Sequence, residues 1–216
     1  MVLADFFDFF KSLHSSEGLI RLITQGGFFL IVAIIFAETG LLFGFFLPGD
    51  SLLVAAGVVA AQSDHPLFNI WVLNFSLIIA AFTGDQLGYW LGSKTGPKIF
   101  QKEDSLFFKK KYLHEAQLFY EEHGGKSVII ARFIPILRTF VPFIAGVAQM
   151  PRKRYLFFNF FGGVLWIGTL LNLGYLVGKT PLAKQLHLII IFVIGVSMLP
   201  IAIGLLKRLI FSRKAN

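Results

Sequence analysis

The chain has 216 residues, of which 56% are hydrophobic, 15% are charged and 26 are Phe, and its mean hydropathy is +0.72. Soluble domains are about 45–50% apolar even with Gly counted and about 25% charged, so the composition excludes a water-soluble globular domain and predicts an integral membrane protein. The formal net charge of +8 fits basic loops facing anionic headgroups better than nucleic-acid binding, and the lack of Cys excludes a disulfide framework, thiolate metal sites and a catalytic Cys.

Residues 1–25 read as an interfacial N-terminal segment. Asp5, Asp8 and Glu17 interrupt it, so no cleavable signal is predicted, and its aromatic and polar mixture suits a helix lying in the headgroup region. Four later runs reach the roughly 20 residues needed to cross about 30 Å of hydrocarbon. Run 26–47 contains only Glu38 and run 67–93 only Asp85, while 155–178 and 185–206 contain no Asp, Glu, Lys or Arg.

Two other apolar runs are different. Run 51–63 is too short to span, and run 127–151 is broken by Arg132, Pro135, Arg138 and Pro142. Helix-breaking residues at membrane depth are tolerated where the backbone is buried in protein or lines a cavity. Pro48, Gly49 and Asp50, and the stretch from Pro135 to Pro142, therefore read as the tips of two re-entrant hairpins, at 28–62 and 127–150.

The segment 94–126 between them carries Lys109, Lys110 and Lys111 beside helically spaced apolar residues, and reads as a cytoplasmic amphipathic helix; a helix packed on a soluble partner is the alternative. The central segment, the Arg152–Arg154 cluster and the C-terminus hold fourteen of the Lys and Arg residues. The positive-inside rule places them in the cytoplasm.

Gly88, Tyr89 and Gly92 recur as Gly174, Tyr175 and Gly178, and the same offset carries Pro48 to within one residue of Pro135. The fold class read from this is an all-α membrane protein of two inverted repeats, 26–93 and 127–178. Each repeat is a re-entrant hairpin plus one transmembrane helix, and a further transmembrane helix follows at 185–206. An odd number of crossings per repeat inverts the second copy, as in many secondary transporters, and puts the site at the repeat interface. Chance similarity of Gly-rich helix ends is the competing explanation.

Ionisable groups inside the bilayer are costly and mark function by default. The first hairpin supplies Glu38 and Asp50 as proton-coupling candidates. The second supplies Arg132 and Arg138, whose forked donors suit a lipid phosphate. A purely structural ion-pair cluster is the plainer reading, and Asp50 is also placed to cap a helix. Asp85 and Asn159 are secondary candidates; a carboxylate satisfied by backbone or by Tyr89, and an interhelical hydrogen bonder, are their structural alternatives. Tyr89, Tyr155, Trp71 and Trp90 read as interfacial anchors, Trp166 as packing, and Gly162 and Gly163 as sites of close helix approach.

ETGLLFGFFLPGDSLL, TGDQLGYWLG and GGKSVIIARFIPILRTFVPFIAGVAQM followed by FNFFGGVLWI resemble the bacterial DedA family, also called the SNARE-associated or VTT-domain family, over nearly the whole chain. The resemblance implies an inner-membrane protein with two opposed re-entrant hairpins, active in envelope homeostasis and dependent on the proton-motive force. It implies an anionic lipid phosphate, undecaprenyl phosphate or a phospholipid, as the group moved, and it carries functional roles to Glu38, Asp50, Arg132 and Arg138. No enzyme activity, cofactor, metal or nucleic-acid partner is expected, and a homo-oligomer is open. A proton-coupled efflux or cation transporter and a non-transporting scaffold are the competing functions.

Overall fold

The computed structural model describes residues 16–42, 44, 47–101, 125–185, 188 and 195. The first fifteen residues of the expected interfacial segment, most of the 94–126 segment and nearly all of the expected C-terminal helix lie outside them. The described chain is helical: α1 (Ser16–Gly40), α2 (Gly49–Gln62), α3 (Ile70–Gln101), α4 (Lys126–Ala131), α5 (Pro135–Val147) and α6 (Arg152–Gly178), with short 3-10 turns at Pro66–Phe68 and Pro181–Gln185.

Among the described residues, two stretches are long and apolar enough to cross a membrane, Ile70–Gly96 of α3 and Arg152–Gly178 of α6, each 27 residues. At 1.5 Å per residue each is about 40 Å long. Trp71 and Phe75 on α3 are 79% and 69% exposed, and Phe157, Phe161, Leu165 and Leu176 on α6 are also exposed. Apolar surface of this extent suits hydrocarbon rather than water. Trp71 and Trp90 are outward-facing as anchors require, but Tyr89 and Tyr155 are buried and stack on each other with ring centroids 4.6 Å apart. Their anchor assignment is therefore corrected to core packing.

The run expected at 26–47 does not continue as one spanning helix. α1 is bent at Gly27, whose φ of 64° is non-helical, and it stops at Gly40. The chain then turns and re-enters helix at Gly49. α2 is only 14 residues long and has no polar face, which is the pattern of a helix enclosed on all sides; Leu52, Leu53, Val54, Ala55 and Ala56 are all buried.

The second pair of short helices turns at 132–134, and Pro135 opens α5, at a position where a backbone N–H would have no helical partner, so proline's lack of one costs nothing. Pro142, expected at a tip, lies inside α5 and faces Gly88 on α3. A proline within a helix leaves one backbone carbonyl unpaired, but it does not end this one.

The core runs through the interfaces of α1, α2, α3 and α6, with Ile31, Ile35, Leu53, Leu77, Ile167 and Leu171 at its centre. α1 packs chiefly on α3 and α4 on α6, whereas α2 packs chiefly on α6 and α5 on α3. The first arm of each hairpin thus lies on the long helix that follows it, and the second arm lies on the long helix of the other half. Small residues make the second contact possible. A Cβ at Gly92 would strike the Phe143 backbone of α5, and one at Gly174 would strike the Val54 backbone of α2. The Gly pattern seen twice in the sequence is a pair of seats for the hairpin arms.

Candidate functional site

The last turn of α1 delivers Glu38, the first turn of α2 delivers Asp50, and α5 delivers Arg138. Arg138 donates from Nη1 to Asp50 Oδ1 at 2.5 Å and from Nη2 to the Glu38 carboxylate. Its guanidinium lies over the Trp166 ring, 4.2 Å from the centroid, and the Trp166 indole N–H donates to Asp50 Oδ1 at 2.8 Å. Glu38 and Arg138 are fully enclosed, and the Asp50 side chain is 13% exposed. The N-cap position of α2 is Pro48, and Asp50 lies in the first turn rather than at the cap.

Backbone fit allows this convergence. A Cβ on Gly49 would collide with the Glu38 carboxylate, and one on Gly40 would lie 3.0 Å from the Gly84 carbonyl oxygen. The Thr39 hydroxyl is turned back to the Ile35 carbonyl at 3.0 Å. Pro48 is buried at the tip, and its carbonyl accepts from Ser51 Oγ at 3.0 Å.

Arg132 forms a second group. It follows the last residue of α4 and donates from Nη2 to Asp85 on α3 and to Asn159 on α6. The Tyr155 hydroxyl donates to the Asp85 backbone carbonyl at 3.3 Å, and the Tyr89 hydroxyl donates to the Met150 carbonyl at 2.6 Å. Gly162 accommodates the Arg132 side chain, since a Cβ there would approach Arg132 Cδ to 2.7 Å. The close approach expected at Gly162 is therefore to Arg132 of the same chain.

The structure brings together every charged residue expected from the sequence and adds the pairing, which the sequence left open. The two arginines do not share the two carboxylates of the first hairpin: Arg138 holds both Glu38 and Asp50, and Arg132 holds Asp85 and Asn159. Asp85 and Asn159, secondary in the sequence reading, belong to the cluster. Trp166 was missed as a site residue. A lone indole on an apolar helix carries no sequence signal that separates packing from hydrogen bonding to a carboxylate.

Arg132 and Arg138 meet at a cavity of about 10 Å³, also lined by Asp85, Asn159, Val128, Ala131, Val141 and Pro142. That is room for about one water. Nε and Nη1 of Arg132 and Nε of Arg138 are buried without a hydrogen-bond acceptor.

Trp166→Phe keeps the ring under Arg138 and removes only the indole N–H. A hydrogen bond to a charged group contributes about 1.5–3 kcal/mol, and thermal unfolding in detergent is expected to show a loss of that order. An unchanged melting temperature for Trp166→Phe beside a lowered one for Trp166→Ala would reduce Trp166 to packing alone.

The sequence pattern of the VTT domain matches residues 47–176, which include Asp50, Asp85, Arg132, Arg138, Asn159 and Trp166. Protein DedA of Escherichia coli K12 is 38% identical over 200 residues, 91% of each chain. An uncharacterized membrane protein of Mycobacterium leprae is 45% identical over 174 residues, 80% of this chain and 77% of that one. The E. coli inner membrane protein YqjA is 35% identical over 156 residues, 71% of this chain and 69% of its own. No solved structure matches the chain.

Proposed function

The chain belongs to the VTT-domain family that includes DedA, and from that premise we propose that it moves a lipid carrying an anionic phosphate across the bacterial inner membrane, coupled to protons. The observation that carries this reading is the pair of buried guanidiniums on one small cavity, with three of their donor nitrogens left without an acceptor. Buried N–H donors without acceptors are rare in a finished interior, and planar, permanently charged guanidiniums suit phosphate oxygens.

The exchange of hairpin arms between halves, seated on glycines of the recurring pattern, supports reading the fold as two interlocked inverted repeats with re-entrant hairpins. In that arrangement the cluster lies at the repeat interface, where carriers of this architecture bind their substrates. The lysine and arginine bias supports a cytoplasmic C-terminus.

A cavity of about 10 Å³ is far too small for a phosphate, so the described state is closed. For a phosphate to enter, the carboxylates must give up their arginines. Protonation of Glu38 or Asp50 weakens its charge-assisted bond to Arg138, frees donors for phosphate oxygens, and lets one hairpin separate from the other. Deprotonation on the opposite side re-forms the ion pairs and expels the lipid. The same carboxylates could serve a proton-coupled cation carrier, but the unfilled arginine N–H groups favour an anion.

Proteoliposomes loaded with a labelled undecaprenyl phosphate analogue test the proposal. The parent chain is expected to move the label faster when a proton gradient is imposed, and Arg132→Ala and Arg138→Ala to reduce movement to background. Equal movement by both Arg variants would sink the phosphate-binding role. Gradient-independent, Arg-dependent movement would leave a scramblase.

A further inference from the structure

The buried charges of the site do not balance. Among the described residues, the cluster joins Glu38, Asp50 and Asp85 to Arg132 and Arg138, three carboxylates against two guanidiniums, so with every group ionised it carries a formal charge of −1. The other titratable groups that face it are the hydroxyls of Tyr89 on α3 and Tyr155 on α6, which are neutral in their usual state at neutral pH. Arg152, Lys153 and Arg154 at the start of α6 are exposed. Helix ends do not supply the missing positive charge. Each tip brings one helix C-terminus and one helix N-terminus to the cluster, and their partial charges of about half a unit oppose each other.

An uncompensated charge in such an interior is neutralised rather than carried. A metal cation is a poor candidate at the cavity, because both guanidiniums line it. A proton needs only an acceptor, and Glu38 Oε2 and Asp85 Oδ1 are buried carboxylate oxygens that receive no hydrogen bond. Arg138 faces two carboxylates and keeps one when the other is protonated, whereas Arg132 pairs with Asp85 and has the neutral Asn159 amide as its second acceptor.

We infer that the resting cluster holds one proton, and that this proton, which cancels the surplus carboxylate, makes anion binding at this site dependent on pH. The first half stands on the charge count; the second rests on the lipid-phosphate reading above. With the proton in place the cluster is neutral and admits an anion. Once the proton leaves at higher pH the cluster is negative and repels one. In Asp85→Asn the remaining two carboxylates balance the two arginines with no proton at all, so anion binding persists to higher pH.

The test uses the purified full chain in detergent. Infrared spectroscopy at a pH where exposed carboxylates are ionised is expected to show the carbonyl stretch of one protonated, buried carboxyl in the parent and in Asp85→Glu, and none in Asp85→Asn. Glu38→Gln removes the same surplus by a different residue and is expected to lose the band as well, which keeps the test open if Asp85→Asn fails to fold.

Calorimetric titration with farnesyl phosphate then reads the second half. Parent affinity is expected to fall about tenfold per pH unit along the limb where one proton is lost, by linkage, while the affinity of Asp85→Asn stays flat over that limb. No band in the parent, an undiminished band in both carboxamide variants, or superimposable pH profiles would overturn the inference. A band that behaves as expected with no farnesyl phosphate bound at any pH would count against the lipid-phosphate reading and uphold the resting proton.

Discussion

Arg138→Ala is expected to be the most damaging single substitution in the described chain. Arg138 is the shared partner of Glu38 and Asp50, so its removal leaves two carboxylates facing each other without the guanidinium that bridges them. Breaking a buried ion pair from one side typically costs about 3–5 kcal/mol because the surviving charge stays buried. Thermal unfolding in detergent, followed by tryptophan fluorescence, is expected to show a loss of that order, together with loss of lipid movement.

Removing the whole charge set at once separates stability from function. The triple variant Glu38→Gln, Asp50→Asn, Arg138→Met leaves no uncompensated charge in this half of the cluster, and replacing complete buried ion pairs is often neutral or stabilising. It is expected to recover most of the lost stability while remaining unable to move lipid. If Arg138→Ala melted like the parent, the cluster would be too wet for its ion pairs to matter, and the argument from burial would fail with it.

The charged residues were legible in the sequence because each stands alone in an apolar run, and the cost of an ionisable group in hydrocarbon makes that isolation meaningful. Their pairing was not legible. Arg138 finds Glu38 and Asp50 across 100 and 88 residues, and Arg132 finds Asp85 and Asn159 across 47 and 27. Such matches are set by how the helices of the two halves pack on one another, which no single arm encodes locally. α2 illustrates this, since a helix apolar on every side gives no indication of what surrounds it.

Pro142 shows a different limit. A proline after a broken apolar run reads as a turn, yet a helix held by packing on α3 tolerates one inside it. Tyr89 and Tyr155 failed for a similar reason. An aromatic near a run end is an anchor when it faces lipid and core when it faces another helix, and the sequence is the same in both cases.

The glycine seats give the sharpest test of the interlocked halves. Gly92→Ala and Gly174→Ala each place a methyl group where the Phe143 or Val54 backbone already lies. A backbone atom cannot rotate out of the way as a side-chain end can, so the arm must back off. Overpacking of a close interface typically costs about 1–3 kcal/mol, and both variants are expected at the upper end of that range.

Gly168→Ala on α6 is the internal control, since a Cβ there meets nothing within 4 Å. It is expected to be neutral or slightly stabilising, in keeping with the advantage of up to about 1 kcal/mol that alanine has over glycine in a helix. The two seats lie on different long helices, 82 positions apart in the chain, and hold different arms. The repeat pairs Gly92 with Gly178 and Gly88 with Gly174, so the two seats are not equivalent positions, but each holds one exchanged arm: each substitution should lower the melting temperature, and the double variant by about their sum. A large effect at Gly92 with none at Gly174 would mean that only one arm is seated as described, and the pseudo-symmetric exchange of hairpins would have to be abandoned even though the recurring Gly and Tyr residues that suggested it are real.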